Sequence, residues 1–149
     1  IIDSIKRFKF TKINNSTKVF QALRIFVNKE ISELIYGLIN AYNLIPVGGI
    51  IAVVTFHSIE DKIVKFFFKN YSEINNASRY APIKENNVRC FNLKNKKPIT
   101  PSDEELKLNP PSRSAKLRFA VKINNECNFE EFIQKFKQLK DIEDLQFDK

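Results

Sequence analysis

Residues 44–71, LIPVGGIIAVVTFHSIEDKIVKFFFKNY, hold the pattern on which the fold turns. Pro46, Gly48 and Gly49 break the chain, and residues 50–56 (IIAVVTF) then run apolar and mostly β-branched. The run lacks the alternation of a half-exposed strand, so it reads as a strand covered on both faces, as in a parallel sheet between helices. Ser58 and Asp61 form an S-x-x-D capping arrangement, and a helix is expected over 59–71, burying Ile63, Val64, Phe67, Phe68 and Tyr71. Strand, short connection and helix make one α/β unit. The only histidine, His57, stands at the carboxyl end of the strand, where open α/β sheets bind ligands. Two readings stay open there: Ser58 caps the helix and His57 fills a loop, or both face a ligand.

Upstream, Ile31, Leu34, Ile35, Leu38, Ile39 and Tyr42 recur at helical spacing. Gly37 costs that helix about 1 kcal/mol without overturning the pattern. Phe20, Leu23 and Val27 mark an earlier helix, capped by Ser16 or Thr17, and Asn28 is placed to cap the second after a restart. Residues 1–13 are a basic lead-in or the end of an upstream helical segment. Downstream, residues 72–98 turn polar and basic, with a short strand expected at 88–93. Ser102 and Glu105 form a capping box for a short helix, and the prolines of 109–116 (NPPSRSAK) argue for a non-helical loop. Residues 116–123 (KLRFAVKI) alternate, so Leu117, Phe119, Val121 and Ile123 are expected on the buried face of an antiparallel strand near the sheet edge. Asn128 is expected to cap a final helix with Phe129, Phe132, Ile133, Phe136 and Leu139 on one stripe.

The chain has 149 residues, enough for one domain, and carries a formal charge of +8, concentrated in the loop-rich middle. That balance favours an anionic partner. Cys90 and Cys127 read as two free thiols of a reducing compartment, and with one histidine there is no zinc spacing. The apolar run at 44–56 is too short and broken for a bilayer span of ~20 residues. Absence of methionine suggests a piece of a longer protein, whose isolated sheet would expose an unpaired edge and an apolar face. Only three glycines occur, so no glycine-rich nucleotide loop is present. Glu60-Asp61 and Asp103-Glu104-Glu105 suit first helical turns better than paired acid catalysis, and Phe66, Phe67 and Phe68 suit a core better than a base-stacking platform. Ser112 to Lys116, with small hydroxyls and cations off a helix, suits either phosphate contact or a solvated loop.

Three motifs stand in order: residues 17–28 (TKVFQALRIFVN) with Glu30; residues 46–49 and 56–65 (FHSIEDKIVK); and residues 97–102 through 109–118 (NPPSRSAKLR). Together they resemble the carboxyl half of the bacterial-type small-subunit (16S) ribosomal RNA cytosine-N4 methyltransferases, the RsmH or MraW family, over roughly residues 14–123. The chain differs in having Asn14-Asn15 where the family usually has His-Pro, and Pro111 where an arginine is common.

The resemblance implies an α/β fold: the C-terminal part of a class I S-adenosylmethionine-dependent methyltransferase (Rossmann-like) sheet, ending in an antiparallel strand. Residues 14–124 would be that half-domain and 125–149 a C-terminal helical extension. It implies methyl transfer from S-adenosylmethionine to the N4 amine of a cytidine in the decoding region of small-subunit rRNA, in the bacterial cytoplasm or an organelle matrix. Cofactor contacts would lie mainly in an amino half not contained here. His57 and Ser58 would orient the target base, and Arg24, Asn28, Lys62, Arg113, Ser114 and Lys116 would contact RNA. No metal or membrane is implied. The competing reading is a non-catalytic basic RNA-binding module.

Overall fold

The computed structural model describes residues 15–72 and 88–145. The lead-in at 1–13 and most of the polar stretch after residue 72 lie outside the described residues. The elements in order are α1 (Asn15–Asn28), α2 (Glu30–Leu44), β1 (Ile50–Thr55), α3 (Ser58–Asn70), β2 (Phe91–Asn92), α4 (Asp103–Leu108), a 3-10 turn (Pro110–Ser114), β3 (Lys116–Lys122), α5 (Glu130–Lys135) and α6 (Lys137–Glu143).

Three strands form one sheet in the order β1-β3-β2. β3 is antiparallel to both neighbours, with Ile50 opposite Val121, Thr55 opposite Lys116, and Phe91 opposite Lys122. β1 and β2 therefore point the same way, and α3 leads from one towards the other. The antiparallel expectation for 116–123 holds. Its expected place near the edge does not, because β3 is the central described strand.

The faces also differ from expectation. Ile50 and Val54 of β1 are more than half exposed and Ala52 is exposed, while Ile51 and Thr55 are buried. Strand alternation is thus real, although every side chain in the run is apolar or small. On β3 the more deeply buried residues are Ala120 and Lys122, and Leu117, Phe119 and Val121 are only partly covered. The helices sit on the Ile51, Thr55, Ala120 side, and the opposite face has no layer among the described residues. A burial signal read from hydrophobicity cannot tell a covered face from one that is merely apolar.

Lys122 reaches that inner side because the carboxyl end of α2 presents unpaired carbonyls. Its Nζ donates to the carbonyls of Tyr42 and Ile45, at 2.9 Å each, and lies 4.3 Å from the centre of the Tyr42 ring. The connection into β1 uses Gly48 at φ 89°, a left-handed backbone that suits glycine. At Gly49 a Cβ would stand 2.9 Å from the Pro46 carbonyl oxygen.

Ile31, Ile35, Leu38 and Tyr42 of α2 and Ile63, Val64, Phe67 and Phe68 of α3 are buried, as their periodicity predicts. The tail joins this core. The Phe67 ring lies 4.9 Å from Phe132 and 5.3 Å from both Phe91 and Phe129. Phe66, 67 and 68 are core residues, as expected. The expected single final helix is two short helices meeting at Phe136, with Asn128 accepting from the Glu130 amide at 2.7 Å. The prolines of 109–116 do not forbid helical turns either. They occupy the first positions of the 3-10 turn, where a missing N–H costs nothing.

Cys90 and Cys127 are joined as a disulfide, with Cα atoms 6.2 Å apart, so the free-thiol expectation is corrected. Sequence spacing carried no hint of the pairing. β2 and the approach to α5 meet only through the fold.

The restart between α1 and α2 occurs at Lys29, at φ 51°. Asn28 does not cap α2. The buried carboxylate of Glu143 does, accepting from the Ile31 and Ser32 amides at 2.8 Å each and from the Ser32 hydroxyl at 2.6 Å. A capping partner more than a hundred positions away leaves no local trace.

Candidate functional site

The carboxyl end of β1 runs directly into α3, and His57 is the N-cap, one residue before the expected cap at Ser58. Its Nδ1 accepts from the Glu60 amide at 3.3 Å. Glu60 returns its carboxylate to the amides of Phe56 (2.9 Å) and His57 (3.3 Å), closing a capping box. The side chain is only 10% exposed.

This cap fixes the tautomer. A backbone N–H can only donate, so Nδ1 is the bare nitrogen and Nε2 carries the proton in the neutral ring. Nε2 lies 3.2 Å from a Glu60 oxygen and 3.9 Å from Glu30 Oε2, yet it is buried without a well-aligned hydrogen-bond partner. Glu30, at the start of α2, is gripped by Arg24, whose Nε and Nη2 lie 2.8 and 3.1 Å from its two oxygens, and by Asn28 Nδ2 at 3.3 Å. Arg24 and Asn28 of α1 therefore meet His57, at the far end of β1, through one carboxylate.

Glu30, His57 and Glu60 offer ligand atoms within 4.8 Å of one another, the spacing of a metal triad. The tautomer opposes that use. A metal needs Nε2 bare, and baring it would put the proton on Nδ1, against the Glu60 N–H.

Asp61 turns from the next position to β3. It accepts from Arg118 Nε at 2.7 Å and from Lys116 Nζ at 3.2 Å, and Arg118 also donates to the Lys96 carbonyl at 3.3 Å. Burial alone would raise the Asp61 carboxyl. The hydrogen bonds and charges of Arg118 and Lys116 outweigh it and hold its pKa below the usual carboxylate range. Lys116 thus meets the site as the partner of Asp61.

Ser58 and Lys62 are exposed on the first turns of α3, and Arg113 and Ser114 are exposed on the 3-10 turn. None has a side-chain contact with the Glu30 cluster among the described residues. Ser112 is the buried serine of that turn, donating to the Asn109 carbonyl at 2.7 Å.

Glu30, Glu60, Asp61 and Arg118 stand within the motifs, but sequence reasoning gave none of them a site role. The two acids at 60–61 read as helix-dipole residues. Arg118 read as the solvent side of a strand, although a strand with regular charges facing an acid-bearing helix fits the same letters. Glycines Gly48 and Gly49 precede β1, at the opposite end from His57. Among the described residues there is no glycine-lined cradle for a nucleotide cofactor at the strand ends.

Residues 1–123 match the MraW methylase family. Similar curated proteins are named ribosomal RNA small subunit methyltransferase H. That of Ehrlichia chaffeensis is 50% identical over 119 residues, 80% of this chain and 37% of the relative. That of Nitrobacter winogradskyi is 44% identical over 120 residues, 80% of this chain and 36% of the relative. That of Agrobacterium fabrum is 48% identical over 111 residues, 74% of this chain and 33% of the relative. The chain spans little more than a third of the length of the curated relatives it matches. α5 and α6 lie beyond the family match.

Proposed function

The chain belongs to the MraW methylase family, and on that footing we propose that it forms the carboxyl-terminal, substrate-side part of an enzyme that methylates the N4 amine of a cytidine in small-subunit rRNA. The observation that carries the reading is the convergence of Arg24, Asn28, Glu30, His57 and Glu60 at the carboxyl end of β1. The name of the relatives and the antiparallel position of β3 between two like-directed strands support it.

S-adenosylmethionine is the methyl donor proposed for the reaction, and it supplies an electrophilic methyl group. The residues described here do not fit a cradle for it, so its binding is assigned to residues outside those described. The chain's own contribution is orientation. The lone pair of a cytosine amine is delocalised into the ring, so alignment of the base supplies much of the rate. Glu30 and Glu60 flank the His57 ring at the strand end. The exposed Phe56, Ser58 and Ile59 border the base, and Arg113, Ser114 and Lys62 meet RNA phosphates. His57 is assigned as a positioning residue, because its Nδ1 is tied to the Glu60 amide and its side chain is nearly buried, and Ser58 as a group that touches the base.

The test joins this chain to the amino-terminal part of the Ehrlichia chaffeensis relative. The chimera is incubated with small ribosomal subunits lacking the modification, and N4-methylcytidine is read by nucleoside mass spectrometry. Product is expected. His57→Ala should lower kcat with little change in KM, and Ser58→Ala should raise KM. A folded chimera that binds the cofactor but makes no N4-methylcytidine would overturn the reading and leave the RNA-binding module in its place.

A further inference from the structure

A second site lies further along α3. Past the His57 cap and the Asp61 pairs, the next two turns of the helix present Lys65, Phe68 and Lys69 to a pocket of about 260 Å³. The segment after β2 closes it with Leu93, Asn95 and Lys96, and β3 adds Arg118. Four of its seven lining residues are cations and none is an acid. Lys65 and Lys69 have no acidic partner among the described residues, whereas Arg118 is shared with Asp61. The floor is apolar: Phe68 is almost fully buried and Leu93 partly so.

We propose that this pocket binds a nucleoside phosphate unit, with the phosphate between Lys65 and Lys69, the ring against Leu93 and the edge of Phe68, and the Asn95 amide bonding the base edge. The size fits. Pockets for whole drug-sized ligands run to ~300–1,000 Å³, so this one takes a single ring and its anion. The charge excludes the cationic methyl donor, which the lysines would repel. A bare surface patch would attract anions equally, but a patch has no apolar floor and no amide. At ~1.5 Å per helical residue, Lys65 and Lys69 stand about 12–18 Å along α3 from His57, so an RNA strand held here would pass the strand end. The pocket does not depend on methyl transfer and stands if the function proposed above fails.

The unit could come from an RNA strand or from a free nucleotide, and the experiment separates the two. The full chain is titrated with a fluorescein-labelled single-stranded RNA 12-mer by anisotropy, and with CMP by calorimetry. Micromolar 12-mer binding with only millimolar CMP binding assigns the pocket to a strand. Tight CMP binding that displaces the 12-mer assigns it to a free nucleotide. In either case Lys65→Ala/Lys69→Ala should weaken the bound species at least tenfold and reduce the salt dependence, by about 1–2 in the logarithmic slope for the RNA. Leu93→Ala should weaken the nucleotide or RNA by a further few-fold while leaving binding of inorganic pyrophosphate unchanged. The control Lys107→Ala/Lys137→Ala removes the same charge from exposed positions elsewhere. Equal loss from the control and pocket pairs would overturn the proposal in favour of diffuse charge. So would a Leu93→Ala effect equal for pyrophosphate and nucleotide, or no binding of either probe at low salt.

Discussion

Replacing Glu143 by alanine should unfold the protein's edge from a distance. The Glu143 carboxylate is 4% exposed and accepts three hydrogen bonds at the start of α2, two from backbone amides. Those amides belong to the first turn of a helix and have no carbonyl partner within it. Hydrogen bonds to a charged group contribute about 1.5–3 kcal/mol each, and a buried donor stripped of its acceptor costs about 1–3 kcal/mol. The Ser32 hydroxyl can rotate to a new acceptor and the two amides cannot. The expected loss is therefore about 3–4 kcal/mol, a large part of the ~5–15 kcal/mol that holds a typical domain together. Urea unfolding followed by far-ultraviolet circular dichroism measures it, as a lower midpoint at unchanged slope. Glu143→Gln keeps one good acceptor and should lose about half as much. A loss below about 1 kcal/mol in Glu143→Ala would refute the reasoning. It would mean that water or another residue caps α2 equally well.

Burial pushes the Tyr71 phenol up to about 12, against a weaker opposing effect of its hydrogen bond from the Phe132 amide. A raised folded pKa means that this stability is intact below the unfolded value of ~10 and is lost as pH rises from there towards 12; Tyr71→Phe should flatten that alkaline limb in a pH series of thermal melts. Asp61 has the opposite sign: its depressed pKa gives stability that is present above the ordinary carboxylate value of ~4 and lost as pH falls through the lower folded value. Asp61→Asn should cost about 3 kcal/mol at neutral pH by stranding Arg118, and should shrink the acid limb; an unchanged acid limb would rule that out. The Cys90–Cys127 bond closes a loop with a sequence separation of 37, so Cys90→Ser should lower stability by about 3–4 kcal/mol. Thiol titration of the denatured chain without reductant should find no free thiol, and two equivalents would contradict the bond.

The periodicity of α2 and α3, the strand at 50–55 and the Ser102 cap were legible because each is written in neighbouring residues. The Ser102 hydroxyl does accept from the Glu105 amide, at 3.2 Å. What was not legible depended on partners distant in the chain. Strand β1 is apolar on both faces, so hydrophobicity predicted cover on both, yet Ile50 and Val54 stand open. Strand β3 alternates cleanly, but its charged side faces inwards, because Asp61 and the α2 carbonyls wait there for Arg118, Lys116 and Lys122. The candidate site was half legible for the same reason. The motifs named His57, Arg24 and Asn28, but only the fold reveals Glu30 as the group that joins them.

The residues beyond the family match do more than extend the chain. α5 places Phe132 against Phe67, and the ring of Phe136 meets Phe66 edge-on at 5.6 Å. α6 supplies Glu143 to cap α2, and Asp144 just after it pairs with Lys29 at 2.9 Å, at the restart between α1 and α2. That restart sets the position of Glu30 relative to Arg24, and Glu30 in turn faces the His57 ring. The tail is therefore linked to the strand-end cluster by two successive contacts: Glu143 to the start of α2, and Glu30 of α2 to the His57 ring. A change in α6 that leaves the cluster's own residues intact should still shift the His57 environment. In this protein the geometry of the family motifs depends on residues that the motifs do not include.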